Sequence, residues 1–160
     1  MAEQLILNKE DKKANYISLF PQIKALCEGE ENSIANLANI SSALKEAFDF
    51  FWVGFYLVHS ENELVLGPFQ GTIACSRIKK GKGVCGTAWE LGKTVVVANV
   101  EEFSGHIACS AKSKSEIVVP IFKNDKIVGV LDIDSDKFND FDEIDKTYLN
   151  ELMSWLGKQL

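Results

Sequence analysis

Three cysteines in the middle of the chain sit among neighbours that suit chemistry better than packing. Cys75 closes Gly67-Pro-Phe-Gln-Gly-Thr-Ile-Ala-Cys75, Cys85 lies in Gly81-Lys-Gly-Val-Cys-Gly86, and Cys109 ends Gly105-His-Ile-Ala-Cys109. Small and flexible neighbours put a sulfur near a turn that another molecule can approach closely. A structural cysteine behaves as a small hydrophobe inside an apolar strand or helix face. Beyond Cys109 come Glu116, Asp132 and Asp134, acids set into otherwise apolar, strand-like runs.

A thiol attacks as its thiolate, which a cation, a helix N-terminus or backbone donors must stabilise. His106, Lys112 and Lys114 are the candidates near Cys109, and the start of a helix at Val84 is the candidate for Cys85. Two thiols that meet in space permit a redox cycle. One takes oxygen from an oxidised substrate and becomes a sulfenic acid, and the second condenses with it to a disulfide. Exchange with an external dithiol then restores both. The residues alone leave the division of labour among the three thiols open. Asp132 and Asp134 share one strand face by the period of 2, and Glu116 begins a neighbouring strand. Clustered acids raise one another's proton affinity, which suits giving a proton to an oxygen as sulfur attacks; they would also hold an ammonium group.

Other chemistries are weaker. Three cysteines and His106 approach the four ligands of a zinc site, but the spacings of 10 (75 to 85) and 24 (85 to 109) lack the close cysteine pairs of structural sites, so no metal is expected. Gly81-Lys-Gly83 before Val84 matches neither a Walker nor a dinucleotide glycine motif, and no cofactor is expected. Cys27, beside Leu26 at the end of a helical pattern, reads as apolar filler.

The elements that must position these residues follow from periodicity. Residues 8–28 are helical in tendency, with an apolar stripe of Ala14, Ile17, Leu19, Ile23 and Leu26 that Pro21 should divide into two short helices. Ser33 can cap a second helix carrying Ile34, Leu37, Ala38, Ser41, Leu44 and Phe48. Aromatic and β-branched residues 51–58, a polar turn at 59–62, and residues 63–66 make a hairpin. On its first strand Trp52, Gly54 and Tyr56 share a face, and Gly54 between two aromatics would leave space for a ligand or serve core packing.

Residues 67–83 read as an ordered loop with a short strand, followed by a helix from Val84 to Leu91 that Gly92 ends. A short strand at 94–98 and a loop-rich span at 99–115 come next; long loops in compact domains are usually functional. Residues 116–122 and 126–134 form a second hairpin, and Asp140 with Glu143 opens a last helix whose apolar face is Phe141, Ile144, Tyr148, Leu152 and Trp155. Consecutive hairpins among helices imply an α+β fold with a mostly antiparallel sheet and helices gathered on one face.

The whole chain bounds the function class. Its 160 residues fit one domain, 1–160, with a real core. The net charge, 17 − 23 = −6, comes without a basic block, which argues against nucleic acid as a partner. No apolar run approaches the ~20 residues that span a bilayer, and the opening Met1-Ala-Glu-Gln4 lacks a signal peptide's pattern, so no membrane is expected. Four cysteines in such a chain suit a reducing cytoplasm.

Six motifs in order resemble one family. They are Trp52-Val-Gly-Phe-Tyr56, Leu66-Gly-Pro-Phe-Gln-Gly71, Gly81-Lys-Gly-Val-Cys-Gly-Thr87, Gly105-His-Ile-Ala-Cys109, Ser115-Glu-Ile-Val-Val-Pro120 and Gly129-Val-Leu-Asp-Ile-Asp-Ser135. Across residues 52–141 the chain is similar to the free methionine-(R)-sulfoxide reductases, which are GAF-domain enzymes. The resemblance implies a six-stranded antiparallel GAF sheet, with a pocket roofed by the 67–77 and 99–115 loops. It implies reduction of free methionine-(R)-sulfoxide with thioredoxin as reductant. It carries the nucleophile to Cys109, the principal resolving cysteine to Cys75 and an assisting cysteine to Cys85. Glu116, Asp132 and Asp134 become the substrate-binding and proton-donating acids, with Trp52 and Tyr56 as the aromatic wall. Two positions depart from the family's pattern: Ser110 and Asn99 stand where acids are expected. GAF relatives commonly pair through their helices, and the N-terminal apolar pattern allows a homodimer. The alternative is a non-catalytic GAF module that binds a small ligand or senses redox state, for which three thiols at these places have no evident use.

Overall fold

The computed structural model describes residues 4–105, 107 and 110–160. Six strands, β1 (Trp52–Ser60), β2 (Glu63–Gln70), β3 (Arg77–Lys79), β4 (Val95–Val97), β5 (Ser115–Lys123) and β6 (Lys126–Ser135), form one sheet in the order β3-β2-β1-β6-β5-β4. Every neighbouring pair is antiparallel, as the two hairpins require. The tight turn between β5 and β6 places Asn124 and Asp125 at positive φ (49° and 64°), which these two residue types tolerate better than most. Pro120 lies past the end of the β4 pairing, where its missing N–H interrupts no β4–β5 ladder.

Helices α1 (Lys12–Cys27), α2 (Ser33–Phe48) and α4 (Glu143–Leu156) cover one face of this α+β fold, and α3 (Gly83–Leu91) lies over the other. Strand alternation divides the residues between the faces. Val53 and Phe55 of β1, Ile117, Val119 and Ile121 of β5, and Leu131 and Ile133 of β6 point into the three-helix side and are fully buried. Each such side chain contributes about 1.5–3 kcal/mol by leaving water. Trp52, Tyr56, Val118 and Val130 point the other way, toward α3. Gly92 ends α3 in the left-handed conformation, φ 62°, as its position predicts.

Several expectations need correction. α1 is continuous through Pro21. The hydrogen bond that Pro21 cannot give would go to Ile17, and both residues lie on the exposed side, where water can serve the orphaned carbonyl. The buried face of α1 is Tyr16, Leu19, Phe20, Ile23 and Cys27, and Ile17 and Leu26 are exposed. The α2 cap is Asn32, whose side chain accepts from the N–H groups of Ile34 and Ala35. The α4 cap is Asp142 in a capping box with Asp145, because Asp140 instead accepts from Ser135 Oγ at 2.5 Å. The core face of α4 is therefore Leu149, Leu152, Met153 and Leu156, with Ile144 partly exposed. β2 runs four residues further than its apolar segment, to Gln70, and takes up the start of the expected loop.

Candidate active site

Register on the α3 face assembles the site. Trp52 of β1 pairs with Asp134 of β6, and Asp134 pairs in turn with Glu116 of β5. The next row on that face is Gly54, Asp132 and Val118. Paired residues in antiparallel strands point the same way, so three acids and the β1 aromatics converge on one floor. Cys85 meets them from the first turn of α3. The resulting pocket is lined by Trp52, Tyr56, Cys85, Glu116, Asp132 and Asp134, with Phe51, Thr72, Ile73, Ala74, Ile78, Gly83, Val84, Ile107, Ser110 and Ser113 around its walls.

The aromatics tie the floor to the loop above it. Trp52 Nε1 donates to the carbonyl of Thr72 at 2.9 Å, and Tyr56 Oη donates to the carbonyl of Cys75 at 2.9 Å. Trp52 stacks with Tyr56 at 6.2 Å and with Phe69 at 5.3 Å between ring centroids. The space over Gly54 is not vacant for a ligand. A Cβ there would stand 2.3 Å from Cη2 of Trp52, so the glycine makes room for the chain's own indole.

Burial sets the electrostatics of the floor. Glu116 and Asp132 are each only 6% exposed. Loss of water, then the charges of Asp132 and Asp134, pushes the Glu116 carboxyl well above its usual range, and it donates a hydrogen bond to Asp132. Burial and the charge of Asp134 also raise Asp132, against hydrogen bonds from Cys85 and Glu116 that pull it down. Asp134, likewise desolvated, is raised to about 6 while the Ser113 hydroxyl donates to it and favours its charged form. Cys85 stays a thiol: burial first, and then the surrounding acids, drive its pKa well above normal. That outcome reverses the expectation that the α3 N-terminus would favour a thiolate there.

Cys109 and His106 lie outside the described residues. Lys114 places its ammonium over the Phe138 ring, 5.3 Å from the centroid. Of the two departures from the expected acids, Ser110 does line the pocket, with its Oγ accepting from the Lys112 N–H at 3.2 Å. Asn99 instead caps the 3₁₀ turn Val100–Glu102, accepting from the Glu101 N–H at 3.1 Å. Ser113 was not legible in sequence, because a loop serine carries no periodic signal. The ligand atoms of Cys85, Glu116 and Asp132 all lie within 4.8 Å of one another, a donor set that cysteine spacing could not reveal.

A model of the GAF domain matches residues 37–157. The chain is 62% identical over 156 residues to GAF domain-containing protein A of Dictyostelium discoideum, covering 98% of this chain and 99% of that protein. It is 46% identical to the free methionine-R-sulfoxide reductase of Escherichia coli, covering 94% of this chain and 91% of the relative. Among solved structures, the free methionine-R-sulfoxide reductase of Neisseria meningitidis in complex with its substrate superposes with a TM-score of 0.96 at 51% identity, over 99% of this chain and 95% of that one.

Proposed function

The chain belongs to the GAF-domain family, and from that premise we propose that it reduces free methionine-(R)-sulfoxide to methionine. The observation that carries the reading is the acid trio of buried Glu116 and Asp132 and half-buried Asp134 beneath two aromatic rings, in a chain similar to proteins that bear that reductase name. Asp134, ionised above about pH 6, holds the substrate's ammonium, and the faces of Trp52 and Tyr56 bound its side chain. Glu116, whose carboxyl is pushed toward its protonated form by burial and then by the neighbouring acids, supplies a proton to the sulfoxide oxygen.

The thiolate of Cys109 attacks the sulfoxide sulfur while the oxygen is protonated. The sulfur–oxygen bond breaks, methionine leaves reduced by two electrons, and Cys109 keeps the oxygen as a sulfenic acid. Cys75 then attacks that sulfur, a disulfide forms, and the hydroxyl leaves as water with the Cys75 proton. Thioredoxin reduces the disulfide by exchange, which suits a reducing compartment such as the cytoplasm. Cys85 serves as a relay thiol; it must first be uncovered, and Asp132, already hydrogen-bonded to it, is placed to take its proton.

Assays with a thioredoxin system test the substrate. Free R-sulfoxide should be turned over, while the S-epimer and an oxidised peptide should not; comparable activity on the peptide ends the substrate assignment. Stoichiometry without reductant tests the thiols. Cys75→Ser should release about one methionine per chain and leave a sulfenic acid that a dimedone-type probe traps. Cys109→Ser should release none, and a full turnover by it would remove Cys109 as nucleophile. Cys27→Ser should leave the cycle unchanged, since Cys27 lies in the core on the opposite sheet face.

A further inference from the structure

We propose that the pocket floor is also a binding site for a thiophilic divalent cation of the zinc and cadmium class, held by Cys85 Sγ and one carboxylate oxygen each from Glu116 and Asp132. The three donor atoms lie within 4.8 Å of one another, and all three residues are buried. The donors of a tetrahedral zinc stand about 3.5 Å apart, from metal–sulfur and metal–oxygen bonds of about 2.3 and 2.1 Å. Closing on a common ion therefore asks for an approach of about 1.3 Å at most, within reach of small side-chain rotations.

A second observation points to a ligand. Asp132 Oδ1 is buried without a hydrogen-bond partner although its residue lines the pocket. A buried oxygen left in that condition has lost its hydration without replacement, which a ligand would make good. Among the described residues that line the pocket none is a lysine or arginine. One soft sulfur with two hard oxygens selects zinc or cadmium over magnesium or calcium, which take oxygen alone. The fourth position faces the pocket and would hold water. On binding, the Cys85 thiol proton and the Glu116 carboxyl proton both pass to solvent as the metal–thiolate and metal–carboxylate bonds form.

The cation would occupy the place given above to the proton-donating acids, so zinc would silence the reductase in competition with its substrate. That consequence alone rests on the proposed function; binding itself does not. The test uses the reduced full-length Cys75→Ser/Cys109→Ser variant, which keeps only Cys85 and Cys27, titrated with cadmium alone. One cadmium per chain should bind with an ultraviolet thiolate-to-cadmium charge-transfer band, and zinc should displace it. Adding Cys85→Ser or Cys85→Ala should abolish the band. Glu116→Gln and Asp132→Asn should each weaken binding at least ~10-fold, with circular dichroism confirming the fold and either variant deciding if the other fails to fold. The proposal is overturned by the absence of a band, by a band that survives loss of Cys85, or by carboxamide variants that bind as tightly as the parent. A wild-type chain that binds cadmium without reducing methionine sulfoxide would refute the proposed reaction and leave the metal site standing.

Discussion

Asp134 titrates close to working pH. Its pKa of about 6 arises from burial, offset in part by the Ser113 hydroxyl. The carboxylate is charged above that value and neutral below it, so a substrate ammonium loses its anchor as pH falls through about 6. We expect kcat/KM for free methionine-(R)-sulfoxide to drop below about pH 6, by up to ~10-fold per pH unit. Asp134→Asn should flatten that acid limb and raise KM more than it lowers kcat. Glu116→Gln should act on the other parameter, because removal of a proton donor is felt only in the transition state. A fall of at least ~10-fold in kcat, about 1.4 kcal/mol, is the expected size. Steady-state pH profiles of the two variants beside the parent decide it. An unchanged acid limb in Asp134→Asn would remove that residue from ammonium binding.

At the scale of elements, β1 couples packing to the site through Gly54. Its missing side chain lets the Trp52 indole lie across β1, between Tyr56 and Phe69. Gly54→Ala would drive a methyl group into Cη2 of Trp52 and Cβ of Phe69, at 2.3 and 2.5 Å. We expect a loss of about 1–3 kcal/mol in denaturant unfolding and a raised KM, because Trp52 lines the pocket. Full activity and stability would show that the indole has other room. The strands were legible because alternation survives in short runs: Trp52, Gly54 and Tyr56, like Asp132 and Asp134, announce a shared face. Helix faces were less so. Ile17 and Leu26 look like core by type, yet the α1 turns that face the core are those of Tyr16, Leu19 and Ile23. Asp145 was invisible as a core residue because its burial depends on Tyr16 and Lys12, 129 and 133 residues away in sequence. Cys85 looked like a helix-start thiolate; only the fold buries it, and sets it against three acids, so that burial first and the acids second keep it protonated.

The molecule as a whole divides its tasks between the two faces of one sheet. On the three-helix face, polar groups serve cohesion. Asp145 is completely buried, accepts from Tyr16 Oη at 2.8 Å and meets Lys12 Nζ at 2.6 Å, joining α1 to α4. Lys12→Met should cost about 1–3 kcal/mol, less than a fully buried pair because Lys12 is one-third exposed, while kcat and KM at low temperature stay as they were. On the pocket face the sign is opposite. The folded-state pKa of Asp134 is raised from its ordinary 3.8 to about 6, so the native state binds more protons than the unfolded chain between those values. Stability from this group is present below 3.8 and declines as pH rises through about 6. At pH 7.5 the ionised Asp134 is therefore a cost of folding, on the order of 1–3 kcal/mol. Asp134→Asn should unfold at higher denaturant at pH 7.5 than the parent, and the difference should shrink as pH is lowered toward 4. The same variant loses its hold on substrate, so stability and activity would move in opposite directions. Equal or lower stability of Asp134→Asn at pH 7.5 would mean that the Ser113 hydroxyl and its surroundings stabilise the charge fully, and that this face carries no strain for function to exploit.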